Sequence, residues 1–298
     1  FPLLVSFPNL VSPSLNDGGF STRPISAAHL ELAVAWYDDP AAISALKKRY
    51  ATGSSRGGME AWQFGGDLPE GDVFAPPPSM DLKGAGVAVL RRGAGENAVC
   101  AMLEYGEHGG GHGHPDKLQL ILFGHGQQLY PDLGTTGYAN PLHPKYYKTT
   151  PAHNTVTIGG RNMAGKSGEL LDFMADDRCS AAVATTSSVY NGFALTRRML
   201  LGDGFLVDEF VVTGDTPDTL DWFLRANGEL TLSVDVRPIA EEPLSAPYAY
   251  LKGLRGSGTA GQWSGVWQFG TSDKGAGRTR LVVTMQGDPD TQVAQSEA

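Results

Sequence analysis

From Gly86 onward the chain is a succession of short β-type runs cut by glycine turns, and this pattern restricts its fold more than any other feature. The runs are Gly86–Arg91, Ala98–Tyr105, Leu118–Phe123, Thr155–Ile158, Ala181–Thr186, Ala194–Leu200, Phe205–Val212, Thr219–Arg225, Leu230–Val236 and Arg280–Met285. Some are continuously apolar and others alternate, with Gly-Asp, Gly-Glu and Asn-Gly pairs between them. Short strands at such spacing predict an antiparallel β-sandwich rather than a parallel α/β sheet. No repeat of fixed period is present.

The first 80 residues read differently. Ile25 to Tyr37 places Leu30, Ala33, Val34 and Tyr37 on one helical face, and Asp39-Pro40 opens a second helix. Asp39 suits the N-cap, and Pro40 suits the first helical position, where its missing N–H costs nothing. Two short helices cannot bury both their faces, so this hairpin is expected to pack on something larger. Thr52 to Lys83 is rich in Gly and Pro, with Pro76-Pro77-Pro78 as a stiff spacer. The expected organisation is therefore a mainly β chain: a helical segment and linker over residues 1–80, then a sandwich over 81–298.

Composition narrows the function. With 23 Lys plus Arg against 32 Asp plus Glu, the net charge is -9, which argues against a general nucleic-acid binder. Apolar stretches such as Leu118–Phe123 are far shorter than the ~20 residues that cross a bilayer, so no membrane helix is expected. Cys100 and Cys179 could pair, stay reduced or be unrelated; each lies in an apolar stretch, which favours buried free thiols. The N-terminal FPLLVSFPNLVSPSLND lacks the charged region of a signal peptide and opens on Phe1, so the chain reads as a fragment or a processed product.

The chemistry concentrates between Glu104 and Met163, which hold six of the seven histidines: His108, His112, His114, His125, His143 and His153. In GHGHPD, His112 and His114 are two apart, so on an extended segment they share a face, as metal ligands or a ligand beside a catalytic group would. Asp132 follows a strand in LYPDLG, and His153 precedes one in PAHN. Histidines and a carboxylate from three segments make a zinc-type donor set. Gly109-Gly110-Gly111 is not followed in phase by Gly-Lys-Ser/Thr, and no Gly-x-Ser-x-Gly elbow occurs, so neither a P-loop nor an elbow serine hydrolase is expected.

Charge adds a second pattern. No Asp or Glu lies between Leu133 and Gly168, while Lys145, Lys148, Arg161 and Lys166 do. A locally cationic cleft would draw an anionic ligand to an otherwise acidic protein. Tyr138, Tyr146 and Tyr147 accompany these cations; their rings can stack on sugar faces and a phenol can exchange a proton.

These residues carry a resemblance. GVAVLR at 86–91, LEYG at 103–106, HGGGHGHPDKLQL at 108–120 and YPDLGTTGYANPLHPKYYKTTPAHNTVTIGG at 130–160 are similar in order and spacing to the sandwich domain of the heparinase II/III-like family of polysaccharide lyases. LNDGGF at 15–20 and the helical hairpin resemble the end of that family's α/α toroid, and RRMLLGDGFLVDEFVV with LDWFLRANGE resembles its later strands.

The resemblance implies a bacterial, secreted or periplasmic lyase that cuts a 4-linked uronic acid by β-elimination, on alginate- or glycosaminoglycan-type chains. It implies one divalent ion, such as zinc, held by His114, Asp132 and His153 and bracing the loops rather than activating water. It places His112 near substrate and a tyrosine in proton transfer, Tyr138 first and Tyr146 second. Lys145, Lys148, Tyr147 and Arg161 are the expected contacts to an acidic oligosaccharide. The family's toroid supplies an Asn or His against the uronate carboxylate and a further His or Tyr for proton transfer. Nearly all of that toroid lies outside this chain, so weak or absent activity of the chain alone is expected. Two other classes fit the residues: a non-catalytic module binding acidic polysaccharide, and a zinc-dependent hydrolase. Oligomeric state is left open.

Overall fold

A computed structural model describes residues 2–68, 74–239, 244–258, 262–270, 279–288 and 290–297. The α-helices come first: α1 (Pro2–Val5), α2 (Ala27–Tyr37), α3 (Pro40–Ala51) and α4 (Met59–Phe64). Asp39 caps α3 as its position requires, accepting from the Ala41 N–H at 2.8 Å, with Pro40 in the first turn. On α2 the expected inward face holds for Leu30 and weakens along the helix, and Tyr37 is 76% exposed. The helix stops at Asp38, a left-handed residue at φ 46°, and its last turn is left in solvent. Leu30, Ala45 and Leu46 close a small core with Leu10 and Phe74.

The Gly/Pro-rich stretch from Thr52 to Lys83 is not all linker. It contains α4 and the first strand, β1 (Met80–Leu82). A helix of six residues and a strand of three are too short to print a period on the sequence.

β1 leads an antiparallel meander with β2 (Val87–Arg92), β3 (Val99–Glu104), β4 (Gln119–Gly124) and β5 (Gln127–Tyr130), paired in that order. After β6 (Val156–Ile158) come β7 (Glu169–Ala175), β8 (Ser180–Thr186), β9 (Phe193–Gly202) and β10 (Phe205–Gly214), a second antiparallel sheet, and β11 (Leu220–Trp222) returns to pair with β6. The remaining strands are β12 (Glu229–Leu232), β13 (Arg237–Pro238), β14 (Lys252–Gly258), β15 (Gln262–Phe269), β16 (Thr279–Gln286) and β17 (Gln292–Glu297). They pair as β12-β15-β16 and β13-β14-β17.

The two large sheets face each other. Ala88, Leu90, Ala101, Leu103, Leu120 and Leu122 meet Ala182, Ala184, Leu195 and Met199 across the interface. The opposite face of β2–β4 is also covered: Val87, Val89, Cys100, Met102, Ile121 and Phe123 lie under Phe7 and Val11, and Phe7 stacks on Phe123 at 4.8 Å. Burial on both faces makes β2, β3 and β4 continuous apolar runs, whereas β8 alternates buried and half-buried positions. Of the strands that the sequence runs leave out, β7, β14 and β17 are mostly exposed, and β14 and β17 carry Lys, Gln, Glu or Gly where a buried strand carries Val or Ile, whereas β5 and β15 are mostly buried or half-buried. Cys100 and Cys179 are both free, but only Cys100 is buried. Burial pushes its thiol up to about 11. Among the described residues no helix is long and apolar enough to cross a membrane.

Arg197 on β9 holds the site-bearing end of the sandwich. Its buried guanidinium pairs with Asp208 through Nε (2.7 Å) and Nη2 (2.6 Å), and Nη1 donates to the carbonyls of Leu118 (2.7 Å) and Asn154 (2.6 Å). Leu118 sits at φ 59°, a conformation that needs such support in a branched residue. Arg197→Leu is expected to destabilise the fold by about 3–5 kcal/mol, because Asp208 and two buried carbonyls lose their partner. Urea unfolding reads this directly, and a wild-type midpoint would remove the arginine from the account.

Candidate active site

At one end of the five-stranded sheet, three loops converge with the N-terminal segment: the loop into β4, the loop after β5 and the loop before β6. His114, Asp132 and His153 come from these three loops, are each fully buried, and place their ligand atoms within 4.8 Å of one another. His153 Nδ1 stands 3.6 Å from Asp132 Oδ1, beyond hydrogen-bonding distance. Both ring nitrogens of His153 and Nδ1 of His114 are buried without a hydrogen-bond partner. Buried polar atoms of native folds are nearly always partnered, so unpartnered nitrogens converging on a carboxylate fit a divalent cation of zinc type.

Neighbouring groups set this geometry. Gln119 Nε2 donates to Asp132 Oδ2 at 2.7 Å, and the Gly134 N–H donates to Oδ1 at 2.8 Å. Asn154, next to His153, donates to the carbonyls of Leu120 (2.9 Å) and Pro131 (3.2 Å) and so ties the β6 loop to the other two. Burial opposes charge on Asp132, but the attraction of His153 and these donors outweigh it and hold the carboxyl below its ordinary range. Burial, reinforced by repulsion from His153, lowers His114. Burial acts the same way on His153, but Asp132 outweighs it and the pKa is raised.

A second buried group, Glu104, Asp116 and Asp132, also has cation-binding spacing. Here the chain supplies the countercharge itself. Lys117 Nζ lies 2.9 Å from Asp116 and 3.3 Å from Glu104. Burial and then Asp116 raise the Glu104 carboxyl to about 7, with Lys117 opposing. The unpartnered nitrogens therefore single out the histidine group as the metal candidate.

Outside the buried layer, Asp17 receives several groups. Its Oδ2 is 2.9 Å from His112 Nδ1, its Oδ1 is 3.0 Å from His114 Nε2, and His143 Nε2 is 3.5 Å from Oδ1. Burial disfavours this charge, but the hydrogen bonds from His114 and His112 and the nearby Lys148 outweigh it, so the carboxyl is lowered. The Tyr138 hydroxyl lies 3.1 Å from His112 Nδ1, and the ring is 66% exposed. Tyr138 is raised above the ordinary phenol value by desolvation and then by the charge of Asp17. Gly134 makes the approach of the N-terminal segment feasible: it sits at φ 59°, and a Cβ there would fall 1.8 Å from the Gly18 carbonyl oxygen. The Thr135 N–H donates to that same carbonyl at 3.0 Å.

The other sequence candidates are more dispersed. His112 lies in a one-turn 3₁₀ segment, not on an extended one, because Gly109 and Gly110 both take positive φ. It nonetheless reaches the same carboxylate as His114. Tyr146 is 6% exposed, lies under Arg225 at 5.2 Å, and has a buried hydroxyl without a partner. Tyr147 is half-buried against it, with ring centroids 5.7 Å apart, and Lys145 is exposed. Lys148 Nζ donates to the Gly111 carbonyl at 2.7 Å, beside His112. Arg161 is turned away, paired with Asp218 at 3.0 Å. The acid-free stretch is thus not acid-free in space: Asp17 and Asp218 reach it from distant positions. His125 lies in the β4–β5 turn, and His108 packs against Gly165. Asp17, His143, Lys117 and Gln119 are the site neighbours that sequence reading did not assign. Asp17 and Gln119 leave no local signal, while His143 stood in the histidine cluster.

Residues 75–205 match the family described as Heparinase II/III-like, C-terminal. Over 169 residues the chain is 27% identical to an exo-oligoalginate lyase of Saccharophagus degradans, covering 48% of this chain and 23% of that protein. It is 29% identical over 169 residues to an alginate lyase of Stenotrophomonas maltophilia, covering 49% of this chain and 23% of the relative. The matched part of the chain thus spans about a quarter of the length of these relatives. In fold it is similar to heparan sulfate lyase HepC from Pedobacter heparinus, with a TM-score of 0.57, 17% identity, and 98% of this chain and 44% of that one covered. A heparinase III gives 0.53, 17%, 98% and 46%.

Proposed function

We propose, from the match of residues 75–205 to the heparinase II/III-like C-terminal family, that the chain is the sandwich side of a polysaccharide lyase acting on a 4-linked uronic-acid chain by β-elimination. The observation that carries this reading is the exposed pair of His112 and Tyr138 backed by the carboxylate of Asp17. Elimination removes the proton at C5 of the uronate and delivers a proton to the departing O4. His112 turns Nδ1 to Asp17 and its side chain is 74% exposed, so Nε2 is the ring nitrogen placed to accept the C5 proton. Tyr138, raised above the ordinary phenol value, stays protonated at neutral pH and is the donor to O4. Lys148 and Lys145 supply positive charge for the uronate carboxylates, with Tyr147 beside them; the ion pair of Arg161 leaves it less to offer.

His114, Asp132 and His153 would hold a divalent cation, of zinc type by their donor set. When bound, that ion supplies fixed positive charge that ties three loops together. All three donors are fully buried, whereas a hydrolytic metal centre keeps an open position for substrate, so a bracing role suits the donors better. In this reading residues 1–80 are the helical side and 81–298 the sandwich side of the enzyme.

Incubation of the chain extended by the family's helical toroid with alginate and heparan sulfate oligosaccharides, followed by ultraviolet absorbance and mass analysis of ends, tests the reading; the chain alone should cleave slowly or not at all. Unsaturated uronyl ends are the expected product. Saturated ends would make the protein a hydrolase, and binding without any product would make it a recognition module.

A further inference from the structure

We infer that Asp17 is a positioning residue that sets the ring tautomers of both His112 and His114 and so couples the metal group to the proton-transfer pair. The inference rests on the metal reading above and extends it to a residue outside the three loops.

The argument is geometric. Asp17 reaches two imidazoles with two different oxygens, Oδ2 to His112 Nδ1 at 2.9 Å and Oδ1 to His114 Nε2 at 3.0 Å. A carboxylate only accepts, so each of those ring nitrogens must carry the proton. For His114 this leaves Nδ1 as the lone-pair nitrogen, and that atom is buried without a hydrogen-bond partner, free to serve as the ligand. With a cation bound, carboxylate, histidine and metal would stand in series, the arrangement that fixes a ligand's tautomer and raises its basicity. For His112 the same carboxylate leaves Nε2 free to accept a proton. Asn16 strengthens the first link, since its Oδ1 accepts from the His114 backbone N–H at 3.1 Å. The Asp17 side chain is only 6% exposed, so water competes weakly for either contact.

The coupling also has a direction along the chain. Asp17 lies on the N-terminal segment, 97 residues before His114 in sequence, and is placed by the bridge of Gly19 to Gly134 on the loop that carries Asp132. Docking of that segment therefore completes both the metal group and the proton acceptor.

The test uses the full chain with Asp17→Ala and Asp17→Asn. Zinc affinity is measured by competition with a chromophoric chelator at one pH, below the melting temperature of each metal-free protein. Histidine tautomers are read from ¹⁵N–¹H long-range spectra of the metal-free protein. Wild type should bind one zinc, with His114 protonated at Nε2 and His112 at Nδ1. Asp17→Ala should weaken zinc binding about 10–100-fold and release both tautomers. Asp17→Asn retains one acceptor and should lose less, and it serves in place of the alanine variant if that one does not fold. Zinc affinity within twofold of wild type and unchanged tautomers in the variants would overturn the role of Asp17 alone. Failure of wild type to bind zinc would overturn the metal reading and the coupling with it.

Discussion

In the chain extended by the helical toroid, Tyr138→Phe is expected to lower kcat on an acidic oligosaccharide by about 10²–10⁴-fold while changing KM little, because it deletes the hydroxyl and keeps the ring. The hydroxyl sits 3.1 Å from His112 Nδ1 on an exposed surface, where it can meet a glycosidic oxygen. His112→Ala should lose a comparable factor, with KM recorded alongside because the ring also contributes contact. Tyr146→Phe is the internal control. Its hydroxyl is buried without a partner, and the ring that packs under Arg225 survives the change. A Tyr138→Phe variant with near-normal kcat beside a dead Tyr146→Phe would move the proton donor along the loop. Full activity in both would remove tyrosine from this side of the reaction.

Removal of the metal should lower the melting temperature on the order of 10 °C. An ion that binds only the folded state at about a thousand times its dissociation constant adds roughly 4 kcal/mol, and for a chain of this size each kcal/mol moves the transition by about 2–4 °C. Wild type melted with and without chelator should show that difference. His153→Ala, which deletes two unpartnered buried nitrogens, should melt low under both conditions. His114→Ala should likewise harm stability more than turnover at a temperature where it is folded. Identical wild-type melting in zinc and in chelator would leave the ion without a structural role. A His114→Ala protein that melts like wild type yet has lost turnover would make the ion catalytic.

The strand pattern was legible wherever both faces of a strand are buried. β2, β3 and β4 have no solvent side, so their runs are continuously apolar. β14 and β17 were not legible, since exposed strands take residues that loops also take. The α3 cap was readable because Asp39-Pro40 acts within one turn. The inward face of α2 could be proposed but not its limit, which depends on what packs against the last turn.

The residues of the candidate site divide in the same way. Histidine density and the spacing of GHGHPD, LYPD and PAHN mark His112, His114, Asp132 and His153 from sequence alone, because short-range order places each at the end of a strand or in a glycine turn. Which charges meet is a different matter. Arg161 stands in a stretch without acids and yet pairs with Asp218; Lys117 neutralises Glu104 and Asp116 inside the sandwich; Asp17 crosses nearly a hundred positions to join two histidines. Sequence determined the strand class, the helix cap and the cluster of candidate donors, since these follow from local pattern and residue chemistry. Only the tertiary structure decided their partners, because Coulomb attraction and desolvation act through distance in space and bear no relation to separation along the chain.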